Sequence, residues 1–402
     1  MRATELPNAL TSALIGIKGG WERSWQGCRG TRRVHDWRPV LPLPEPLVPF
    51  DKVMAMNISK TLIAASGLLR ELVSPTDAQS RPNVNALTLL TNRIDSLSLT
   101  VKFFGYELAR SLADALPGCD TIPPQPVDLA CKPSTQADIA SDWVGHWCGQ
   151  LKIPRVFHRK VWELAYVLQA IDRHGSMLPG ARGLGFGCGR EPIASLLAAR
   201  GVDVTVTDQP PETISNQGWS ETGQHTTSRD MSYHDHLVDR AAFDRHVGLR
   251  FVDMNAIDAD LRDFDFCWSV CALEHLGSIE KGLAFIENAM ATLRPGGLAV
   301  HTTEFNFGND ARTIDNWPTV LFQRRHFEEI ARRLRAAGHR VAPLDFDVGH
   351  EPLDRFIDVP PYHSDWNDAL KSAWENDGTP HIKLTIDGFA STCYGLVIER
   401  AQ

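Results

Sequence analysis

Apolar residues at Leu87, Leu90, Ile94, Leu97, Val101, Phe104 and Leu108 fall alternately three and four positions apart. That spacing predicts one long helix with an a/d seam over about three heptads. Its flanks hold Thr91, Ser98 and Gly105 on one side and Arg93, Thr100 and Glu107 on the other. With so few opposite charges, the seam of helix 87–108 either packs on its own chain or meets a second copy in a homo-oligomer. A second helix is predicted over Arg159–Arg173, with Val161, Leu164, Leu168 and Ile171 on one face and Gly175 just beyond its end. From there the pattern changes. Short apolar runs at Ala181–Phe186, Val202–Thr207, Leu249–Val252, Phe264–Val270 and Leu298–Thr303 read as strands. Helical periods separate several of them: Ile193–Arg200, then Ile279, Leu283, Ile286, Met290 and Leu293. This alternation predicts a parallel sheet covered by helices on both faces. A helix over Arg325–Ala337 and strands near Arg340–Leu344, His381–Thr385 and Cys393–Glu399 close the chain.

The same pattern divides the 402 residues. Residues 1–55 are expected to be disordered: the first fifty carry seven Arg/Lys, four Asp/Glu and six prolines, a composition poor in ladder or helix potential. Met54 and Met56 lie at its end, so the start codon could be over-extended. Residues 56–140 read as a helical extension and linker, with prolines crowded between Pro117 and Pro133. Residues 141–402 form the main domain, with its core over about 178–400. The stretch 209–248 between two strands is long for a loop and reads as an insertion that covers substrate, around Trp219.

Composition narrows the function. The formal charge of −8 argues against a general nucleic-acid binder, which carries a basic face. No apolar run approaches the roughly 18 residues that span a bilayer. The eight cysteines contain no C-x-x-C pair, so neither a zinc motif nor a disulfide framework is expected and the chain suits a reducing, cytoplasmic setting. His234 and His236 flank Asp235 in the insertion and read as surface histidines in preference to metal ligands.

Chemistry concentrates at Leu184-Gly185-Phe186-Gly187-Cys188-Gly189-Arg190-Glu191-Pro192, between a predicted strand and helix. Glycines there let the backbone turn sharply and let a ligand lie against the main chain. About twenty residues on, Asp208 ends the next strand, where a carboxylate can accept both hydroxyls of a ribose. The dinucleotide fingerprint G-x-G-x-x-G fails in both registers, because its third glycine falls on Arg190 or Pro192.

With Val252-Asp253-Met254, Ser269-Val270-Cys271-Ala272-Leu273-Glu274-His275 and Leu293-Arg294-Pro295-Gly296-Gly297-Leu298 in the same order, these blocks resemble the class I S-adenosylmethionine-dependent methyltransferases. The resemblance spans about Leu178 to Arg400. It implies a Rossmann-like, seven-stranded, mostly parallel sheet with helices on both faces, plus the N-terminal helical extension. It also implies S-adenosyl-L-methionine as cofactor, held by Gly185, Phe186, Gly187, Cys188, Gly189, Glu191, Asp208, Asp253, Met254 and Ser269. Two positions depart from the family pattern: Gly185 stands where an acid is usual, and Glu191 replaces the third glycine. Glu191 either supplies the missing carboxylate toward the methionine amino group or merely favours the positive end of its helix.

Methyl transfer from a sulfonium needs chiefly alignment, which contributes about 7–11 kcal/mol. A general base adds about 10²–10⁴-fold where the acceptor is a hydroxyl. His275, Glu274 and Glu304 lie after strands, where open α/β folds bind ligands, and are the candidate catalytic residues; no metal is expected. His301 reads as a core histidine, and Cys188, Cys267 and Cys271 as packing residues. The expected activity is transfer to an oxygen or nitrogen of a small-molecule or glycan acceptor. A nicotinamide-dependent oxidoreductase and a non-catalytic binding or scaffold protein on the same fold are the rivals.

Overall fold

The computed structural model describes residues 84–210, 228–360, 362 and 381–402. The expected disordered segment 1–55, the first part of the extension, and Trp219 lie outside the described residues. Among the described residues no helix is long and apolar enough to cross a membrane.

The predicted seam lies on α1 (Val84–Asp114), and the boundary between two compact units falls within this helix, at Phe104 and Gly105. Ile94, Leu97, Val101, Phe104 and Leu108 are all exposed.

Beyond α1 the expected linker ends by joining the sheet. Cys131 is fully buried and β1 (Lys132–Pro133) pairs with the last strand. Two helices follow, α2 (Gln136–Ala140) and α3 (Asp142–Leu151). Then come α4 (Arg159–Arg173), with the predicted bounds, β2 (Arg182–Phe186), α5 (Ile193–Ala199) and β3 (Asp203–Asp208). His158 caps α4: its Nδ1 accepts from the Lys160 N–H at 3.0 Å, which satisfies one of the free N–H groups at the helix start. After the insertion, α6 (Arg240–His246) leads to β4 (Val247–Phe251), β5 (Phe264–Val270), α7 (Ile279–Ala289) and β6 (Leu293–Asn306). The chain closes through α8 (Arg324–Ala336), β7 (Arg340–Val341), β8 (Ile357–Asp358), β9 (Lys383–Ile386) and β10 (Phe389–Glu399).

The ten strands form one sheet in the order β4-β3-β2-β5-β6-β10-β9-β8, with β1 and β7 also paired to β10. The expected count is seven; the ten include the two-residue strands β1, β7 and β8. Strands β4 through β6 run parallel, and β10 lies antiparallel to β6. Successive residues of a strand face opposite sides of the sheet. On β6, His301 packs on Phe285 of α7 while the Thr302 hydroxyl donates to Glu163 of α4. Helices α7 and α4 therefore cover opposite faces. One core cluster lies beneath α7 and α8 and contains Phe186, Phe285, Phe305, Phe327 and Tyr394.

One register feature positions the site. Val270, the last residue of β5, pairs with Thr302, yet β6 continues to Asn306. The four extra residues extend about 13 Å past the sheet's carboxyl edge at about 3.3 Å each. Strand β10 pairs with them throughout, Cys393 opposite Glu304 and Tyr394 opposite Thr303.

Candidate active site

The glycine loop follows β2 directly. Gly187 and Gly189 adopt φ of +60° and +54°, a region that favours glycine. A Cβ on Gly187 would sit 2.7 Å from the Cβ of Ala272 and 3.6 Å from the Sδ of Met254. The loop thus presses against the segments after β4 and β5. The Cys188 N–H donates to the Thr207 carbonyl at 3.1 Å, and the Thr207 hydroxyl to the Gly185 carbonyl at 2.8 Å. Those two bonds lock the loop to the end of β3, where Asp208 is buried and accepts from the Gln209 N–H at 2.8 Å. The loop, Asp208, Met254 and Ala272 are thereby gathered at the carboxyl edge of the parallel strands, as a nucleoside cofactor requires.

Other expected cofactor residues have different surroundings. Phe186 is fully buried and meets Phe285 edge-on, so only its backbone borders the loop. Asp253 is exposed and accepts from the Asn255 N–H at 2.8 Å. Ser269 lies inside β5, its hydroxyl 2.9 Å from Nδ1 of His301, directed into the core. Glu191 is half-buried just before α5, with both carboxylate oxygens out of solvent. Gly185 has a steric reason for departing from the family pattern. A Cβ there would collide with Cys188 Sγ and lie 2.5 Å from Cζ2 of Trp268. The returning limb of the insertion supports the loop from outside: Ser232 Oγ donates to the Gly189 carbonyl at 3.3 Å. His234 Nε2 lies 3.1 Å from the Arg190 carbonyl.

A second group of side chains surrounds the overhang of β6. Glu304 is buried and ion-paired with Arg159 at the start of α4, and it accepts from the Ser391 hydroxyl at 3.0 Å. Glu274, fully buried after β5, accepts from the Thr303 hydroxyl at 3.0 Å. Burial first, and then the neighbouring Glu304 charge, push the Glu274 carboxyl up to about 7. Burial opposes the charge of Glu163 too, but Lys160, 3.1 Å away, and Arg159 overcome it and draw Glu163 down to about 2. His275 diverges from its neighbour. Its Nδ1 lies 3.1 Å from both the Pro318 carbonyl and the Thr319 hydroxyl, in the loop after β6.

Several members of this group carried no signal in the sequence. Arg159, Lys160 and Glu163 sit on α4, far in sequence from Glu304. Cys271, read as a packing residue, has a polar setting instead: its Sγ lies 3.5 Å from Sγ of Cys393. It also holds φ of +44°, a strained value for a side-chain-bearing residue. Cys267 does behave as packing, with burial pushing its thiol up to about 12. Beyond Arg159, the buried His381 gives Nδ1 to Asp358 at 2.9 Å and stacks on His158 at 5.2 Å. His301 is a buried core histidine as expected. A cavity of about 620 Å³ opens elsewhere, between α7 and α8, lined by Glu280, Arg312, Arg325, Glu329 and Arg333. No residue of the glycine loop, nor Asp208, Glu274 or Glu304, lines it.

Comparison with known proteins adds a match over part of the chain. Residues 162–344 match the family model described as a methyltransferase domain. No curated protein sequence matches the chain. Among solved structures it is similar to a putative sarcosine dimethylglycine methyltransferase from Galdieria sulphuraria. The identity is 13% over 65% of this chain and 99% of that one, with a TM-score of 0.36. It is also similar to the phosphoethanolamine N-methyltransferase 2 of Haemonchus contortus, at 16% identity, 60% and 52% coverage and a TM-score of 0.35. The matched part is about half the length of that enzyme. Likenesses this low carry nothing about the acceptor.

Proposed function

We propose that this chain is a class I S-adenosylmethionine-dependent methyltransferase and that it methylates an oxygen or nitrogen of a small-molecule or glycan acceptor. S-adenosylmethionine supplies an electrophilic methyl group on a positively charged sulfur. The loop Gly187–Gly189 would hold it through backbone groups, with Asp208 on the ribose hydroxyls and Asp253 and Met254 beside the adenine. Glu191 would face the amino group, since no side chain fits at Gly185. Methyl transfer breaks the C–S bond, forms the bond to the acceptor atom and leaves one acceptor proton to be lost.

The observation that carries the reading is the pair of buried carboxylates, Glu274 just after β5 and Glu304 in the overhang of β6. Either can accept a hydrogen bond from an acceptor O–H or N–H and so aim its lone pair. Arg159 fixes the orientation of Glu304, and Thr303 that of Glu274. His275 would act through Nε2, because its Nδ1 faces the Pro318 carbonyl. Outside the catalytic unit, the exposed heptad residues of α1 support self-association through helix 87–108.

Calorimetry with S-adenosylhomocysteine tests the cofactor assignment. Binding should be lost in Asp208→Ala while the circular dichroism stays unchanged. Binding indifferent to that substitution sinks the assignment. A screen of hydroxyl, amine and carbon acceptors with labelled cofactor tests the rest; transfer only to carbon overturns the acceptor reading.

A further inference from the structure

Three buried side chains from three separate elements converge behind the acceptor carboxylates. Glu163 comes from α4, Cys271 from the turn after β5 and Cys393 from β10, and all three are buried. One donor atom from each lies within 4.8 Å of the others. The two sulfurs are 3.5 Å apart, and the Cys393 thiol donates to Glu163 Oε1 at 2.8 Å. We propose that Glu163, Cys271 and Cys393 bind a thiophilic divalent cation, with Zn²⁺ the best fit.

The geometry is close to what such an ion needs. With Zn–S near 2.3 Å and Zn–O near 2.0–2.2 Å in a tetrahedron, bound sulfurs lie about 3.7 Å apart and sulfur lies about 3.5 Å from oxygen. The sulfurs already meet this to a few tenths of an ångström. The sulfur–oxygen gap opens once the thiol proton that now bridges it has gone. A soft thiolate pair with one carboxylate selects zinc over magnesium or calcium, which take oxygen. The outer contacts suit the role. Thr302 Oγ1 donates to Glu163 Oε2 at 2.6 Å, which turns Oε1 toward Cys393 as an orienting partner does in metal sites.

Charge balance is the second argument. With both thiols protonated, Glu163 pairs with Lys160 and Glu304 with Arg159. Binding forms two Zn–S bonds and breaks two S–H bonds, and both protons leave to solvent. The exchange of one dication for two protons keeps the buried group electrically even, so no uncompensated charge is created in the interior. Arg159, 3.4 Å from Cys393 Sγ, then faces a thiolate.

The test uses the full chain, tag removed, reduced and stripped with a chelator, then titrated anaerobically with Co²⁺ as a spectroscopic stand-in. The expected result is a sulfur-to-cobalt charge-transfer band that saturates at one ion per chain and is displaced by Zn²⁺. Two protons should be released per ion in weakly buffered neutral solution. Cys393→Ser and, separately, Cys271→Ala should abolish the band, and Cys267→Ser should leave it. Thr302→Val should weaken binding by about 10–100-fold. If Cys393→Ser does not fold, the Cys271→Ala spectrum decides between the same two outcomes. No thiolate band at stoichiometric cobalt overturns the proposal. So does a band that survives both cysteine substitutions, or a Cys271–Cys393 disulfide in the protein as isolated.

Discussion

The best-defined perturbation in the core is the protonation of His301. It is fully buried on β6, its Nδ1 is 2.9 Å from the Ser269 hydroxyl, and Phe285 lies edge-on to its ring. Burial lowers it from 6.5 to about 3, because a cation there would lose its hydration with no carboxylate in reach. The unfolded chain therefore binds the extra proton between pH 6.5 and 3, and stability falls as pH falls through that window. At 1.36 kcal/mol per pKa unit the full loss is about 5 kcal/mol, of which about 2 kcal/mol falls between pH 7 and pH 5. Urea unfolding followed by tryptophan fluorescence at pH 7, 6 and 5 measures it. The double variant Ser269→Ala/His301→Leu removes both hydrogen-bonding partners and should lose about 2 kcal/mol less than wild type over that range. Parallel pH dependences in the two proteins would refute the reasoning.

Gly185→Asp restores the acid usual in the family, yet it should destabilise the protein by about 1–3 kcal/mol, since the new Cβ meets Trp268 and Cys188. Thermal melting and S-adenosylhomocysteine binding read this, and a tighter binder of unchanged stability would contradict it. Arg159→Met leaves Glu304 buried and unpaired, which should cost about 3–5 kcal/mol. Adding Glu304→Gln should recover much of that loss in the same urea assay. Ile94, Leu97, Val101 and Phe104 changed together to Ser should halve the mass seen by light scattering if α1 pairs two copies. An unchanged mass in both proteins removes the homo-oligomer.

Legibility in the sequence followed local periodicity. Helix α4 was readable to the residue, because its apolar stripe is regular and Gly175 follows it. Helix α3 went unseen because Trp143, Val144, His146, Trp147 and Cys148 bury it on nearly every side, which leaves no polar face to create a period. Strand β6 was read five residues late, since Arg294-Pro295-Gly296-Gly297 looks like a turn although it lies within the strand. The glycine loop was legible because its turn depends on local backbone geometry, with Gly187 and Gly189 at positive φ. The buried polar cluster around the β6 overhang was only half legible. Glu274 and Glu304 follow strands and could be named, whereas Arg159, Glu163 and Cys393 acquire meaning only through pairings across 122 to 230 residues.

Strand β10, the last of the described strands in sequence, is inserted between β6 on one side and β1, β7 and β9 on the other. During synthesis the parallel strands can pair as they emerge, since domains form from the N-terminal side. The overhang carrying Glu304 then waits, one edge bare, until Phe389–Glu399 leaves the ribosome. Without Phe389–Glu399 that overhang would lack its antiparallel partner along its whole length.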